Sequence, residues 1–179
     1  MLARTTSVDD TRDLASALAD LLRPGDLLVL TGEMGAGKTA FAQGLGAGLG
    51  VDGRITSPTF TIAQSYEDGR LPLHHLDVYR LEHLHEALDV GLAEMLDDGS
   101  VVLIEWGDAV RPVLPADYLE ISITFAPTPH PGDEKAVDAA AVVDDPDERR
   151  WRLRPVGPRW TARVEGMEAA LARWEVGPC

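Results

Sequence analysis

The chain has a single cysteine and no long apolar run, and each shortage excludes certain classes of protein. Its only cysteine is Cys179, so no disulfide can form within the chain, which is typical of a protein in a reducing cytosol. No run approaches the roughly 18 apolar residues that a membrane-spanning helix needs. The N-terminus also lacks an apolar core of signal-peptide length. We therefore expect a cytoplasmic protein.

Positive charge is scarce as well. Thirty acidic residues oppose 16 basic ones, which gives a formal net charge of −14 and a pI near 4.6. Such a charge disfavours direct binding to nucleic acid or to an anionic membrane. Any involvement with RNA is expected to run through another protein. The hydrophobic content of 45% is that of an ordinary globular domain with a real core.

Of the 16 basic residues only Lys38 and Lys135 are lysines, and Lys38 lies in the most informative stretch of the chain. Residues 32–39, GEMGAGKT, match the phosphate-loop pattern G-x-x-x-x-G-K-[ST] at every fixed position. The apolar run 27–30 before them indicates a buried strand. Apolar residues spaced four apart after them indicate a helix. The stretch predicts a binding site for a nucleoside triphosphate.

Each fixed position of this loop has a chemical task. The glycines let successive backbone N–H groups turn toward a phosphate, and the following helix adds the positive end of its dipole. We expect Lys38 to reach the β- and γ-phosphates. The Thr39 hydroxyl is a suitable hard ligand for Mg²⁺.

Two carboxylates are candidates to complete the site. Glu105 directly follows the apolar run 101–104, where a strand beside the loop usually carries an acidic metal partner. The alternative is that Glu105 caps the next helix. Asp77 lies near the end of a predicted strand, and its alternative is a structural ion pair with Arg80, which could otherwise act as an arginine finger. Thr59, in the segment 57–61, is spaced as a hydroxyl that senses the γ-phosphate, although Pro58 there is equally typical of a simple turn.

The order of elements predicts an α/β protein: a P-loop NTPase-like three-layer sandwich with a mixed central sheet and an inserted antiparallel hairpin. The hairpin is predicted over residues 59–66 and 71–78. We predict an ATPase core over residues 1–126, a flexible surface loop over 127–148, and a C-terminal part over 149–179. That last part comprises a strand and one amphipathic helix, marked by Trp160 to Trp174, that packs on the core.

Two further clusters allow more than one interpretation. His74, His75, His83 and His85 could form a metal site, but a solvated strand end and helix start explains them better because no metal-binding pattern accompanies them. The arginines of 149–154 could form a lid over phosphate, a docking face, or partners for the chain's own carboxylates. Trp160 and Trp174 are expected to face the core.

Four motifs together resemble the TsaE (YjeE) family, bacterial ATPases of tRNA threonylcarbamoyladenosine biosynthesis. They are GEMGAGKT at 32–39, SPTFT at 57–61, HLDVYRL at 75–81 and LIEW at 103–106. They occur in the family's order and at similar spacing, and the resemblance covers residues 5–125. The tail from Pro127 departs from the family pattern.

The resemblance implies ATP and Mg²⁺ as cofactors. It implies that the nucleotide is held by phosphate-loop residues, by a segment at the adenine, and by a tryptophan; these residues are Gly35, Ala36, Gly37, Lys38, Thr39, Ala40, Val8 and Trp106. Thr39 and Glu105 would hold the metal. Asp77 corresponds to an aspartate needed for ATPase activity, and Thr59 to a switch threonine.

The resemblance also implies partners. The family's ATPase acts with the TsaB–TsaD complex, in which TsaD transfers the threonylcarbamoyl group to tRNA adenosine, and tRNA is met only through that complex. Two other functions stay open on the same core: a small-molecule kinase, which needs an acceptor pocket and a lid, and a nucleotide-binding adaptor without significant turnover.

Overall fold

The structure, a computed structural model, describes residues 1–58, 61–79, 91–107, 110–126 and 147–177. Within them seven strands form one sheet in the order β1-β7-β6-β2-β5-β4-β3. The strands are β1 (Leu2–Thr5), β2 (Leu27–Gly32), β3 (Ala63–Tyr66), β4 (Leu73–Asp77), β5 (Val101–Glu105), β6 (Tyr118–Phe125) and β7 (Arg149–Val156). The helices are α1 (Val8–Ala19), α2 (Lys38–Leu49), α3 (Leu92–Asp97), α4 (Pro158–Thr161) and α5 (Val164–Leu171), with a 3₁₀ turn at Arg111–Val113.

The centre of the sheet is parallel and its two sides are antiparallel. Strand β2 lies between β5 and β6, and β4 pairs with β5, all in parallel. Every residue of β5 is buried, as expected for a strand covered on both faces. Strand β3 pairs antiparallel with β4, and β7 and β1 extend the other side in the same antiparallel manner. The predicted α/β class and mixed sheet are confirmed, and the β3–β4 pair is the predicted hairpin.

Hydrophobic residues cover both faces of this sheet. On one face α1, α2 and α5 pack over the sheet, and Phe41 of α2 lies 5.3 Å from Trp151 of β7, measured between ring centroids. A smaller cluster on the other face joins Val29, Val102 and Ile104 to residues of α3. Burial on both sides explains why β2 and β5 are nearly all apolar in sequence.

Strand β1 has no counterpart in the sequence prediction. Only Ala3 and Thr5 of its four residues are buried, so no apolar run marks it. Its partner β7 lies far away in the chain, with Ala3 paired to Trp151. A strand that depends on so distant a partner has no local sequence pattern by which it could be predicted. Strand β7 therefore lies inside the sheet, between β1 and β6.

The prediction of a single C-terminal helix is wrong, because the structure has two short helices there. They are separated at Ala162 and Arg163, where the backbone of Arg163 has φ −111° and ψ 5°. Trp160 and Trp174 are buried, as predicted. From the break, Arg163 donates two hydrogen bonds to the fully buried carboxylate of Asp26, at 2.6 and 2.8 Å. The ion pair between Arg163 and Asp26 links the C-terminal helices to the turn before β2.

In the part of the chain that the structure describes, no helix has both the length and the apolar character needed to cross a membrane.

The contact between α1 and α2 yields a stability prediction at Gly44. A Cβ added there would lie 2.2 Å from the carbonyl oxygen of Arg12, so Gly44→Ala must push the two helices apart. We expect a loss of about 1–3 kcal/mol in the free energy of unfolding, measured by urea denaturation. Gly166→Ala is the matched control, because within the described residues its Cβ would meet only Leu21, at 3.8 Å. Alanine there should stabilise α5 by about 0.5–1 kcal/mol. Equal stabilities of the two variants would contradict the close helix contact.

A second prediction concerns the buried pair of Asp26 and Arg163. Asp26→Asn leaves the Arg163 guanidinium buried without its counter-charge, so we expect a loss of about 3–5 kcal/mol in urea unfolding. Asp9→Asn removes the partner of the exposed Arg12, at 2.7 Å, and should have a much smaller effect because water screens that pair. A comparable loss in both variants would show that burial does not set the strength of the Asp26 pair.

Candidate functional site

The phosphate loop joins the end of β2 to the start of α2. Gly35 and Gly37 have φ of +78° and +114°, a backbone conformation that other residues rarely adopt. A Cβ at either position would meet no atom of the described residues within 4 Å, so among these residues backbone geometry and not space requires glycine here. This conformation turns backbone N–H groups inward and makes an anion-binding concavity at the start of α2.

Lys38 is held at this loop by its own chain. Its Nζ donates hydrogen bonds to the carbonyl oxygens of Gly32 at 2.8 Å and Glu33 at 2.9 Å. The same ammonium lies 3.7 Å from the centroid of the Trp106 ring, a cation–π contact. The side chain is nearly buried. A compact ammonium therefore sits at the loop, where a phosphate oxygen could replace a carbonyl partner.

Trp106 connects the end of β5 to this lysine. Its φ is +61°, which is strained for a bulky residue, and its N–H donates to the Leu30 carbonyl at 2.9 Å. The ring lies 4.9 Å from that of Tyr79, between centroids. Lys38, Trp106 and Tyr79 thus form a continuous line of contacts from the phosphate loop to the segment just after β4.

Asp77 and Glu105 occupy matching positions at the ends of the parallel strands β4 and β5. Both carboxylates are nearly buried. Asp77 accepts hydrogen bonds from the Ser57 hydroxyl at 3.2 Å and from the Tyr79 N–H at 3.0 Å. The segment before β3 is thereby linked to the acidic edge of the sheet.

Glu105 has a buried partner of its own. Nε2 of His75 lies 2.8 Å from Oε1 of Glu105, and the imidazole is fully buried. The sequence interpretation of His75 as part of a solvated strand end is therefore wrong. Alternation along β4 places His75 on the covered face of the sheet and only His74 on a partly exposed one, where it bonds to Ser65. His83 and His85 lie outside the described residues.

These groups surround one pocket of about 380 Å³. Its lining residues are Met34, Gly35, Gly37, Lys38, Thr39, Ser57, Asp77, Tyr79, Glu105 and Trp106. Seven of the predicted site residues are among them. Ala36, which is fully buried, Ala40, and Val8, which is 54% exposed, are not part of this lining. Thr59 and Arg80 lie outside the described residues.

The donor set of the pocket fits Mg²⁺. Thr39, Ser57, Asp77 and Glu105 offer hydroxyl and carboxylate oxygens, which are the hard ligands this ion prefers. Among the described residues, no group of three or more His, Cys, Asp or Glu side chains could hold a metal on its own. That suits Mg²⁺, which usually takes one or two protein oxygens and completes its shell with phosphates and water.

Three of the four arginines of β7 have partners that define two separate roles. Arg149 turns to the phosphate loop, where its Nε donates to the Ala36 carbonyl at 3.1 Å and its guanidinium lies 4.5 Å from the Phe125 ring centroid. Arg150 and Arg154 pair with Glu148 and Glu120. The hydrogen bond from Arg154 lowers the pKa of Glu120 below its usual value. For these two arginines, the structure supports neutralisation of the chain's own carboxylates.

Sequence reasoning missed several contacts of the site. The bond between His75 and Glu105, the stack of Trp106 on Lys38 and the reach of Arg149 to the loop all join separate elements of the sheet edge. Strand alternation was the available signal for His75, since it shares a face with Asp77. Nothing local marks the other two contacts.

Comparisons with known proteins identify relatives of this chain. The family profile described as "Threonylcarbamoyl adenosine biosynthesis protein TsaE" matches residues 5–130. A Bacillus subtilis protein named tRNA threonylcarbamoyladenosine biosynthesis protein TsaE is 42% identical over 139 residues, which cover 78% of this chain and 84% of that protein. A Streptomyces coelicolor protein of the same name is 50% identical over 119 residues, covering 64% and 79%.

Among solved structures, the crystal structure of Bacillus subtilis YdiB matches with a TM-score of 0.71 and 34% identity, covering 94% of each chain. The fold therefore agrees along nearly the whole length of the chain. With the profile spanning most of the chain and its phosphate-loop residues, the chain belongs to the TsaE family of tRNA threonylcarbamoyladenosine biosynthesis.

Proposed function

We propose that this chain is a Mg-ATP-dependent ATPase subunit that supports tRNA threonylcarbamoyladenosine modification together with TsaB and TsaD, on a P-loop NTPase-like three-layer fold. One observation carries the proposal: Lys38, Thr39, Asp77 and Glu105 line a single pocket at the carboxyl edge of the parallel strands. Open α/β sheets bind their ligands at this edge. We further propose that it acts in the cytoplasm and meets tRNA only through its partners.

Each residue has a definite task in this proposal. Backbone N–H groups from Gly35 to Ala40 would bind the phosphates, while Lys38 would exchange a carbonyl partner for a phosphate oxygen. Thr39 and Glu105 would hold Mg²⁺, which when bound offsets negative charge on the β- and γ-phosphates. Val8 would lie near the adenine.

In the same proposal, Asp77 couples the bound nucleotide to a change in the conformation of a neighbouring segment. Its carboxylate already binds the Ser57 hydroxyl, at the start of the segment that contains Thr59. Ordering of this segment by the γ-phosphate, and its release after hydrolysis, would report the nucleotide state to a partner.

Hydrolysis by the isolated chain is expected to be slow. No arginine is found among the described residues that line the pocket, so none of these supplies the positive charge that an arginine finger brings to the transition state. A partner protein would complete the site. A small-molecule kinase would need a lid of arginines, and in β7 Arg150 and Arg154 are instead engaged with carboxylates on the sheet.

The first prediction of this proposed function is that TsaB–TsaD stimulates phosphate release from ATP. We would measure release by the purified chain with and without the purified complex, and with Lys38→Ala in place of the wild type. Stimulation should disappear in the variant, which lacks the ammonium that contacts the phosphates.

The other possible outcomes separate the alternatives. Phosphate that appears on a metabolite and not in solution would indicate a kinase. Nucleotide-dependent binding to TsaB–TsaD without turnover, lost in Glu105→Ala together with Mg²⁺-dependent affinity, would indicate an adaptor. Activity that the complex leaves unchanged would contradict the assigned partnership.

The second prediction concerns Trp106 as a reporter of nucleotide. A phosphate that draws Lys38 from the Trp106 ring, now 3.7 Å away, should change the tryptophan fluorescence on addition of Mg-ATP. Trp151, Trp160 and Trp174 are buried away from the pocket, so the change should vanish in Trp106→Phe. An undiminished signal in that variant would place the nucleotide elsewhere.

A further inference from the structure

We propose that His75 is a positioning residue that fixes the Glu105 carboxylate for the metal of the bound nucleotide. The inference rests on the proposed function. It starts from one contact: His75 Nε2 and Glu105 Oε1 are 2.8 Å apart, and both side chains are withdrawn from solvent, with exposures of 0% and 3%.

The hydrogen bond has only one sensible direction. An ionised carboxylate oxygen can accept but not donate, so the proton of this bond lies on Nε2 of His75. Nδ1 of the same ring is buried and has no hydrogen-bond partner among the described residues. A proton placed there would be an unsatisfied buried donor, which is costly. Both observations assign the tautomer that donates to Glu105.

The sheet places the imidazole where it can act on the carboxylate without competing for the ligand. His75 is in register with Leu103, two residues before Glu105, so it lies one row below the carboxyl edge. Glu105 lines the pocket and His75 does not. The imidazole therefore donates to Oε1 of Glu105 from the side away from the pocket, which leaves Oε2 available to a ligand in the pocket.

Glu105 benefits from such a partner because its side chain is long. Glutamate has one more rotatable bond than aspartate, so an unrestrained Glu105 would lose more side-chain entropy on binding a metal. The hydrogen bond from His75 fixes the Glu105 carboxylate before the metal binds. Such outer partners typically change metal affinity by about 10–100-fold when they are removed.

The test compares substitutions that keep or remove the donor. His75→Gln can place an amide N–H near the position of Nε2, whereas His75→Asn is too short and His75→Leu has no donor. We would titrate each purified protein with a non-hydrolysable ATP analogue, by calorimetry, in Mg²⁺ and in EDTA, and record thermal unfolding without ligand.

We expect a specific pattern of affinities. His75→Leu and His75→Asn should lose about 10–100-fold in the Mg²⁺-dependent part of analogue affinity and keep the affinity measured in EDTA, while His75→Gln should retain most of both. His74→Leu is the matched control, because the neighbouring ring is bonded to Ser65 and not to the site. It should match the wild type. If His75→Leu fails to fold, the Gln and Asn variants still give the comparison.

Three results would overturn the inference. Unchanged Mg²⁺ dependence in His75→Asn would show that Glu105 needs no such partner. An equal loss of affinity in Mg²⁺ and in EDTA would show that His75 only maintains the local structure, as would a loss in His75→Gln as large as in His75→Leu. A wild-type protein that binds the analogue without any Mg²⁺ dependence would instead refute the proposed metal-dependent function itself.

Discussion

The parallel pairing of β4, β5 and β2 is the constraint on which the site depends. Parallel strands end at the same edge, so this pairing alone brings Asp77 and Glu105 level with one another beside the loop that follows Gly32. A shift of one residue in either register would turn a carboxylate to the opposite face of the sheet. The buried apolar residues of β5 fix that register, because a slip would exchange Leu103 and Ile104 between two differently packed clusters on opposite faces of the sheet. The hydrophobic core and the chemical site are therefore set by the same pairing.

Three buried charges, two at this edge and Asp26 at the other end of β2, each have a specific partner. Lys38 is held by loop carbonyls and Trp106, Glu105 by His75, and Asp26 by Arg163. Burial without such partners would cost several kcal/mol for each group. These contacts also explain the different uses of the two cations. Arginine, with its planar fork, serves the bidentate pair with Asp26, while the single lysine in the site presents a compact charge that can exchange partners.

The parts that sequence could predict are those with a local pattern. The loop at residues 32–39, the buried strand before it and the carboxylate at the end of β5 follow from motif, period and position, and the mixed sheet follows from their order. Strand β1 could not be found, because only two buried residues mark it and its partner is remote. The break in the C-terminal helix follows no glycine or proline, and Arg163 stands there as the partner of a residue 137 positions away. His75 was misjudged because four histidines in sequence suggested a shared environment, whereas strand alternation separates His74 from His75.

The position of β7 has a consequence for how the protein is made. Strand β1 pairs with a segment that is synthesised much later, since Met1 bonds to Leu153 across 152 positions. Until β7 arrives, β6 presents an unpaired edge, and β1 has no partner in the sheet. Contacts of such long sequence separation slow folding because loop closure precedes any gain from pairing. Arg149, at the start of β7, reaches the phosphate loop only then, so the nucleotide site would reach its final form only once β7 has been synthesised and has paired.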